Sequence, residues 1–131
     1  MKNQINTKIS IDEAVEIKES IWVDVRCPRE FSKGHYPNSI NMPIFSNSEY
    51  KEIGIVYKNH GQQEAIKRGM KYAKKSLNKI LENISNISNK NIIIYCARGG
   101  MRSKGVEDAL KENKYSVFRI DKGYKSIRKY M

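Results

Sequence analysis

The sequence predicts an α/β domain: a small central parallel sheet flanked by helices on both faces. Three observations point there. Short runs rich in Ile, Val and Tyr alternate with helical stretches along the whole chain. No linker rich in proline and glycine divides the 131 residues, and no period of repeat-protein length appears. One apolar run, "NIIIYC", stops at a cysteine and a glycine loop. In open α/β sheets, ligands sit beyond the carboxyl ends of such strands. We expect one domain over residues 1–131, large enough to bury a core without disulfide or metal staples.

The elements follow in order. "ISIDEAVEIKES" reads as a short strand and a helix entered at a serine or aspartate cap. "IWVDVR", Ile21 to Arg26, is a compact apolar strand, and "CPREFSKGHYP" makes a helical turn or two started near Pro28. "SINMP" is a brief extended segment that Pro43 ends. From Ser48 the pattern becomes helical and stops at Gly61. The next segment, Gln62 to about Ile84, sets Ile66, Met70, Ala73, Leu77, Ile80, Leu81 and Ile84 on one apolar stripe. Lys67, Arg68, Lys71, Lys75 and Lys79 occupy its other side, read as a solvated face. "NISNISNKN" is a polar connector. Then come the strand "NIIIYC", a helix in "RSKGVEDALKENK" with Val106, Ala109 and Leu110 on one side, the strand "YSVFRID", and a final turn and helix in "KGYKSIRKYM".

Composition narrows the function classes. A formal net charge of +11 favours polyanionic partners, RNA above all, although lysines on a solvated surface account for the same balance. Two cysteines, Cys27 and Cys96, cannot build a disulfide framework and fit a reducing compartment. The opening "MKNQINTKIS" lacks the apolar core of a signal peptide, and the run Ile92 to Ile94 is too short to span a bilayer. We therefore expect a soluble, cytoplasmic protein without a membrane partner. Two distant cysteines and two histidines lack metal-ligand spacing, so no metal is expected. "GMRSKG" spaces two glycines as a Walker A loop does, but Val106 and Glu107 stand where Lys and Ser/Thr are required.

The stretch "YCARGGMRS" carries the chemistry. A strand delivers Cys96 to a turn, and a helix begins around Arg102. Ala97 to Met101 must curl around the sulfur, with Gly99 and Gly100 relieving the steric penalty of unusual backbone angles. Such a curl points N–H groups inward as an anion-binding nest, and the next helix adds its positive end. Arg98 and Arg102 can supply guanidinium groups to an oxyanion. All of this favours thiolate over thiol, giving Cys96 a depressed expected pKa and nucleophilic character. The spacing Cys96-x5-Arg102 leaves two chemistries open. A Cys-x5-Arg phosphatase would attack phosphorus, whereas a sulfur or selenium carrier would hold a persulfide or perselenide. Cys27 reads as a packed thiol, with a resolving partner for Cys96 as the minor alternative. His35 reads as a backbone brace, and His60 as a helix-end residue.

A second motif, "DVRCPREFSKGHYPNSINMP" from Asp24 to Pro43, resembles the rhodanese signature. In that signature Asp-Val-Arg leads to Glu-Phe, Gly-His-x-Pro and a short Asn-x-Pro strand. Together with the cysteine loop, the resemblance covers nearly the whole chain. It narrows to the N-terminal rhodanese half of the tRNA 2-selenouridine synthases, whose Cys-x-Arg-Gly-Gly-Met-Arg-Ser is matched by Cys96, Arg98, Gly99, Gly100, Met101, Arg102 and Ser103. Their Gly-Tyr-Lys is matched by Gly123, Tyr124 and Lys125, and "EIGIVYKNHGQQEAIKRG" resembles their helical insert. Most rhodaneses have a loop one residue shorter, so the longer loop suits a larger substituent than sulfane sulfur.

The resemblance implies a rhodanese-like fold with Cys96 as the chalcogen-carrying nucleophile. Ala97, Arg98, Gly99, Gly100, Met101, Arg102 and Ser103 would hold the anion, while Asp24 and Arg26 would organise the loop. It also implies replacement of sulfur by selenium at C2 of a wobble 2-thiouridine in tRNA, through a geranylated intermediate. Selenophosphate and geranyl diphosphate would be substrates of the complete enzyme, and this chain would bind no resident cofactor. A selenophosphate-producing enzyme would be a further partner. Complete enzymes of the family continue into a P-loop domain absent from these 131 residues. The residues are thus either an excised domain or one part of a split enzyme whose P-loop half acts in trans. A generic rhodanese sulfurtransferase acting on thiosulfate or a persulfide, or a Cys-x5-Arg phosphatase, remains the alternative.

Overall fold

The computed structural model describes residues 6–87 and 90–131. Ser88 and Asn89, in the expected polar connector, lie outside them. The elements run β1 (Lys8–Ile9), α1 (Ile11–Ala14), β2 (Ser20–Asp24), α2 (Pro28–Lys33), β3 (Ile40–Asn41), α3 (Asn47–His60), α4 (Gln62–Ser85), β4 (Asn91–Tyr95), α5 (Met101–Glu112), β5 (Val117–Ile120) and α6 (Gly123–Tyr130). The five strands form one parallel sheet in the order β1-β5-β4-β2-β3. Helices cover both of its faces, as the alternation predicts.

Strand geometry sends successive side chains to opposite faces. On β4, Ile92 and Ile94 face one core with Val23, Ile80, Ile84, Val106, Leu110 and Val117, beneath α4 and α5. Ile93 and Tyr95 face the other, with Ile11, Ala14, Ile120 and Ile127 from the α1 and α6 side. Burial on both faces explains why this strand is a continuous apolar run rather than an alternating one.

Local chemistry sets the ends of the helices. Ser10 and Ser46 cap α1 and α3, each accepting from the N–H three residues on, while Glu13 and Glu49 accept from the cap residue's own N–H. Gly61, at φ 90°, separates α3 from α4. The two helices pack as a hairpin, with Glu52 accepting from Tyr72 Oη at 2.6 Å and pairing with Arg68.

The apolar stripe of α4 needs one correction. Met70 is 67% exposed, and its neighbour Gly69 is buried in its place. A Cβ on Gly69 would come within 3.4 Å of the Phe45 ring and 3.7 Å of Ile53. These are ordinary contact distances, so the side of α4 that faces Phe45 and α3 runs through position 69, and Met70, one residue on, faces solvent. No helix among the described residues is long and apolar enough to cross a membrane.

Candidate functional site: the Cys96 loop

β2 and β4 lie side by side with Asp24 opposite Tyr95, so both strands deliver the next residues to one edge of the sheet. Cys96 follows β4 directly and is 2% exposed. Its Sγ lies 3.1 Å from Ser103 Oγ, on the first turn of α5, and that hydroxyl also reaches the Gly100 carbonyl at 3.3 Å. Ser103 is fully buried. The loop thus closes on itself through the sulfur.

The carbonyls of the loop are tied from outside. Cys96 O accepts from Tyr124 N at 2.7 Å, and Ala97 O from Lys125 N at 3.1 Å, both at the start of α6. Gly99 O accepts from Arg119 Nη1 at 2.9 Å, and Gly100 O from Lys104 N at 3.2 Å. The peptide bonds are trans, so each N–H points opposite the carbonyl of the residue before it. Fixing these carbonyls turns the amides of Ala97, Arg98, Gly100 and Met101 away from α6, Arg119 and Lys104. Among the described residues, no acceptor is recorded for the amides of Ala97, Arg98, Gly99 or Gly100. Donors of this kind are what an anion site requires.

Two glycines make the arrangement sterically feasible, and one differs from expectation. Gly99, at φ 71°, has no room for a Cβ, which would sit 2.9 Å from Lys122 N. Gly100 has φ −88° and open space around it, so the backbone does not demand glycine there. The second obligatory position is Gly123, at φ 50°, where a Cβ would lie 2.2 Å from Cys96 O. This glycine lets α6 approach closely enough for Tyr124 and Lys125 to bind the loop.

Arg98 and Arg102 point to different places. Arg98 is exposed and lines an open pocket with Ala97, Tyr124, Lys125, Arg128 and Lys129. Arg102 pairs with Glu30, its Nη1 donating to Oε1 at 2.7 Å and its Nη2 to Oε2 at 3.3 Å. The Arg102 guanidinium also lies 4.3 Å from the Tyr50 ring centroid. Burial would raise the Glu30 pKa, but the hydrogen bond and charge of Arg102 outweigh it and hold the carboxyl below its usual range. Met101 projects its side chain to solvent, 64% exposed, which leaves its backbone as its contribution to the loop.

Asp24 and Arg26 bracket the neighbouring strand end. Arg26 Nε lies 3.0 Å from both Asp24 oxygens, and its Nη2 donates to Asp24 Oδ2 and the Gly34 carbonyl at 2.7 Å each. The guanidinium sits 4.1 Å from the Tyr124 ring centroid. It thereby links β2, the turn after α2, and the residue whose N–H binds Cys96 O. Cys27 is buried, its N–H and thiol both reaching Glu30 Oε1, at 3.1 and 3.2 Å. Burial pushes the Cys27 thiol pKa up. His35 stacks on Phe31 at 3.7 Å, with Nδ1 2.8 Å from the Phe31 carbonyl, and His60 is exposed at the end of α3.

Sequence reasoning missed three contributors: Glu30, Tyr50 and Arg119. Arg119 Nε also donates to buried Glu107 at 3.0 Å, and Glu107 accepts from Thr7 and pairs with Lys104 and Lys111. Glu30 stands in the Glu-Phe pair of the quoted motif, a signal that could have found it. Arg119 sits in an ordinary strand pattern and gave none. Among the described residues, no cluster of His, Cys, Asp and Glu could hold a metal ion.

A parallel α/β domain with a glycine-backed cysteine loop at the carboxyl edge of its sheet defines a class of cysteine-loop transferase and hydrolase folds. This chain belongs to the rhodanese-like domain family, whose description matches residues 8–130. It is 37% identical over 114 residues to a tRNA 2-selenouridine synthase from Shewanella sediminis, covering 83% of this chain and 30% of that one. The chain thus spans about 30% of that relative's length. An N-terminal domain of a Clostridium difficile 630 protein, assigned as ATP/GTP binding, superposes with TM-score 0.88 at 38% identity. That match covers 94% of this chain and 97% of the other. A rhodanese-related protein from Thermoplasma volcanium shares the fold at 20% identity, with TM-score 0.56 over 92% of this chain and 88% of that one.

Proposed function

We propose that this chain is the chalcogen-carrying part of a tRNA 2-selenouridine synthase, with Cys96 as the nucleophile. One observation supports the chemistry above all: four loop carbonyls are held by Tyr124, Lys125, Arg119 and Lys104, and among the described residues no acceptor is recorded for the amides from Ala97 to Gly100. The similarity to named tRNA 2-selenouridine synthases supports the substrate class.

The Cys96 thiolate attacks the outer chalcogen of a persulfide or perselenide donor. The bond between that atom and the donor sulfur breaks, and the donor leaves as a thiolate with the electron pair. Cys96 then carries a persulfide or perselenide, whose terminal negative charge the loop amides and the N-terminus of α5 stabilise. Ser103 Oγ, 3.1 Å from Sγ, can turn its proton from the Gly100 carbonyl to the charged sulfur. With Cys96 only 2% exposed, the donor must present a small outer atom rather than a bulky group.

Selenophosphate is the proposed selenium source: cleavage of its P–Se bond by water gives phosphate and selenide, and the selenide attacks Sγ of the Cys96 persulfide. The S–S bond breaks, sulfide leaves with the electron pair, and Cys96 keeps the selenium as a perselenide; the geranyl step belongs to a P-loop domain or subunit of the same enzyme. A selenophosphate-producing enzyme is the partner that would feed it. The test is selenium incorporation into tRNA with the P-loop part supplied. Cys96→Ser is expected to abolish incorporation; undiminished incorporation rejects the proposal. Turnover of an aryl phosphate that disappears with Cys96 would assign the loop to a phosphatase instead.

A further inference from the structure

The exposed side of α6 carries charge of one sign. Lys122, Lys125, Arg128 and Lys129 are all exposed, while Gly123 and Ile127 are buried against the sheet. At about 100° per residue Lys125, Arg128 and Lys129 share one arc of roughly a third of the helix circumference, with Lys122 at the N-cap just before the first turn. Lys125, Arg128 and Lys129 line an open pocket of about 500 Å³ with Arg98, Ala97 and Tyr124. No acidic residue lines it. Among the described residues, none of these five cations makes a salt bridge, although α1 with exposed Asp12 and Glu13 packs against α6. A surface that holds several unpaired cations together attracts a polyanion.

Position distinguishes this patch from the other basic surface, on α4. There the second pocket includes Glu64 among its lining residues, and Arg68 pairs with Glu52. The α6 patch is instead bonded to the cysteine loop through Tyr124 N and Lys125 N. Arg98, two residues from Cys96, forms its inner edge. From Lys125 to Lys129 the helical cations extend about 6 Å along the axis at about 1.5 Å per residue, and Lys122 at the N-cap continues the row. That is longer than one tetrahedral oxyanion and suits successive phosphates of a strand.

We infer that the α6 face with Arg98 is the RNA-backbone site of this domain, placing a strand's phosphates so that a neighbouring nucleoside lies at the Cys96 loop. This rests on the tRNA reading above and names the surface that would serve it. Backbone contacts position a nucleic acid without reading its sequence, so the patch sets where the RNA lies and leaves base choice to other groups.

The experiment is fluorescence anisotropy of this chain with a labelled anticodon stem-loop RNA over a range of salt. Arg128→Ala/Lys129→Ala is compared with Lys74→Ala/Lys75→Ala, which removes the same charge from α4. The α6 double variant is expected to weaken binding about tenfold and to flatten the slope of log K against log salt by about 1.5, from two lost phosphate contacts. The α4 variant should lose less than about threefold. Equal loss in both variants, or no loss in the first, overturns the assignment. Loss of inorganic phosphate binding with RNA affinity unchanged would also overturn it, making the pocket a small-anion site. Sulfur loading of the unsubstituted chain is read separately by mass. Failure of loading rejects the chalcogen reading and leaves the RNA result standing.

Discussion

Gly123 and Cys96 meet where helix α6 touches the loop, and the contact leaves no room for a side chain. A Cβ at Gly123 would lie 2.2 Å from Cys96 O, 2.8 Å from Gly99 N and 3.0 Å from Ala97 C, all backbone atoms that cannot swing away. Gly123→Ala is expected to cost about 1–3 kcal/mol and to release the loop carbonyls from Tyr124 and Lys125. Chemical denaturation and sulfur loading should both report the damage. Gly100→Ala, in open space at negative φ, should leave stability nearly unchanged. Glu30 makes a different prediction. Its carboxyl is held below the usual range near 4.5 by Arg102, so the pair contributes stability above that range and loses it as pH falls through the lower folded value. Glu30→Gln should therefore destabilise the chain at neutral pH by roughly 1–3 kcal/mol, since Arg102 keeps its charge with little solvent around it. The gap between variant and parent should close in strong acid. Urea midpoints measured across pH check both the size and the sign. Cys27, whose thiol pKa is pushed up by burial, should be alkylated slowly at neutral pH in the folded chain.

At the scale of elements, α6 acts as a clamp. Ile127 is fully buried in the second core and holds the helix onto the sheet, while its first turn grips the loop. Ile127→Ala should cost about 2–5 kcal/mol, and sulfur loading should fall before global unfolding as the clamp loosens. The strands and helices were legible because their patterns are local: capping serines, a glycine stop at Gly61, and a five-residue apolar run buried on both faces. The stripe of α4 misled at Met70 because periodicity alone cannot see that Phe45 and α3 pack on the Gly69 side of the helix. Likewise two glycines in a row invite a shared explanation. The chain path gives left-handed geometry to Gly99 and assigns the second steric demand to Gly123, twenty-four residues further on (99 to 123). Pairing across such distances, as with Arg102 and Glu30 or Arg119 and Gly99, leaves no mark in a local pattern.

For the whole molecule, the sheet gathers its chemistry at one edge. The end of β2 and the residues after it contribute Asp24 and Arg26, Cys96 follows β4, and the N-termini of α5 and α6 converge on the intervening loop. Two basic surfaces lie on α4 and α6, and the α6 surface is bonded to the loop through Tyr124 N and Lys125 N. One measurement bears most directly on this arrangement: intact and peptide mass of the chain after exposure to a small persulfide donor, run on the parent, Cys96→Ser and Cys27→Ser. The account predicts one added sulfur, located on Cys96, lost in Cys96→Ser and kept in Cys27→Ser. An adduct on Cys27, or none on Cys96 in the folded parent, would contradict it.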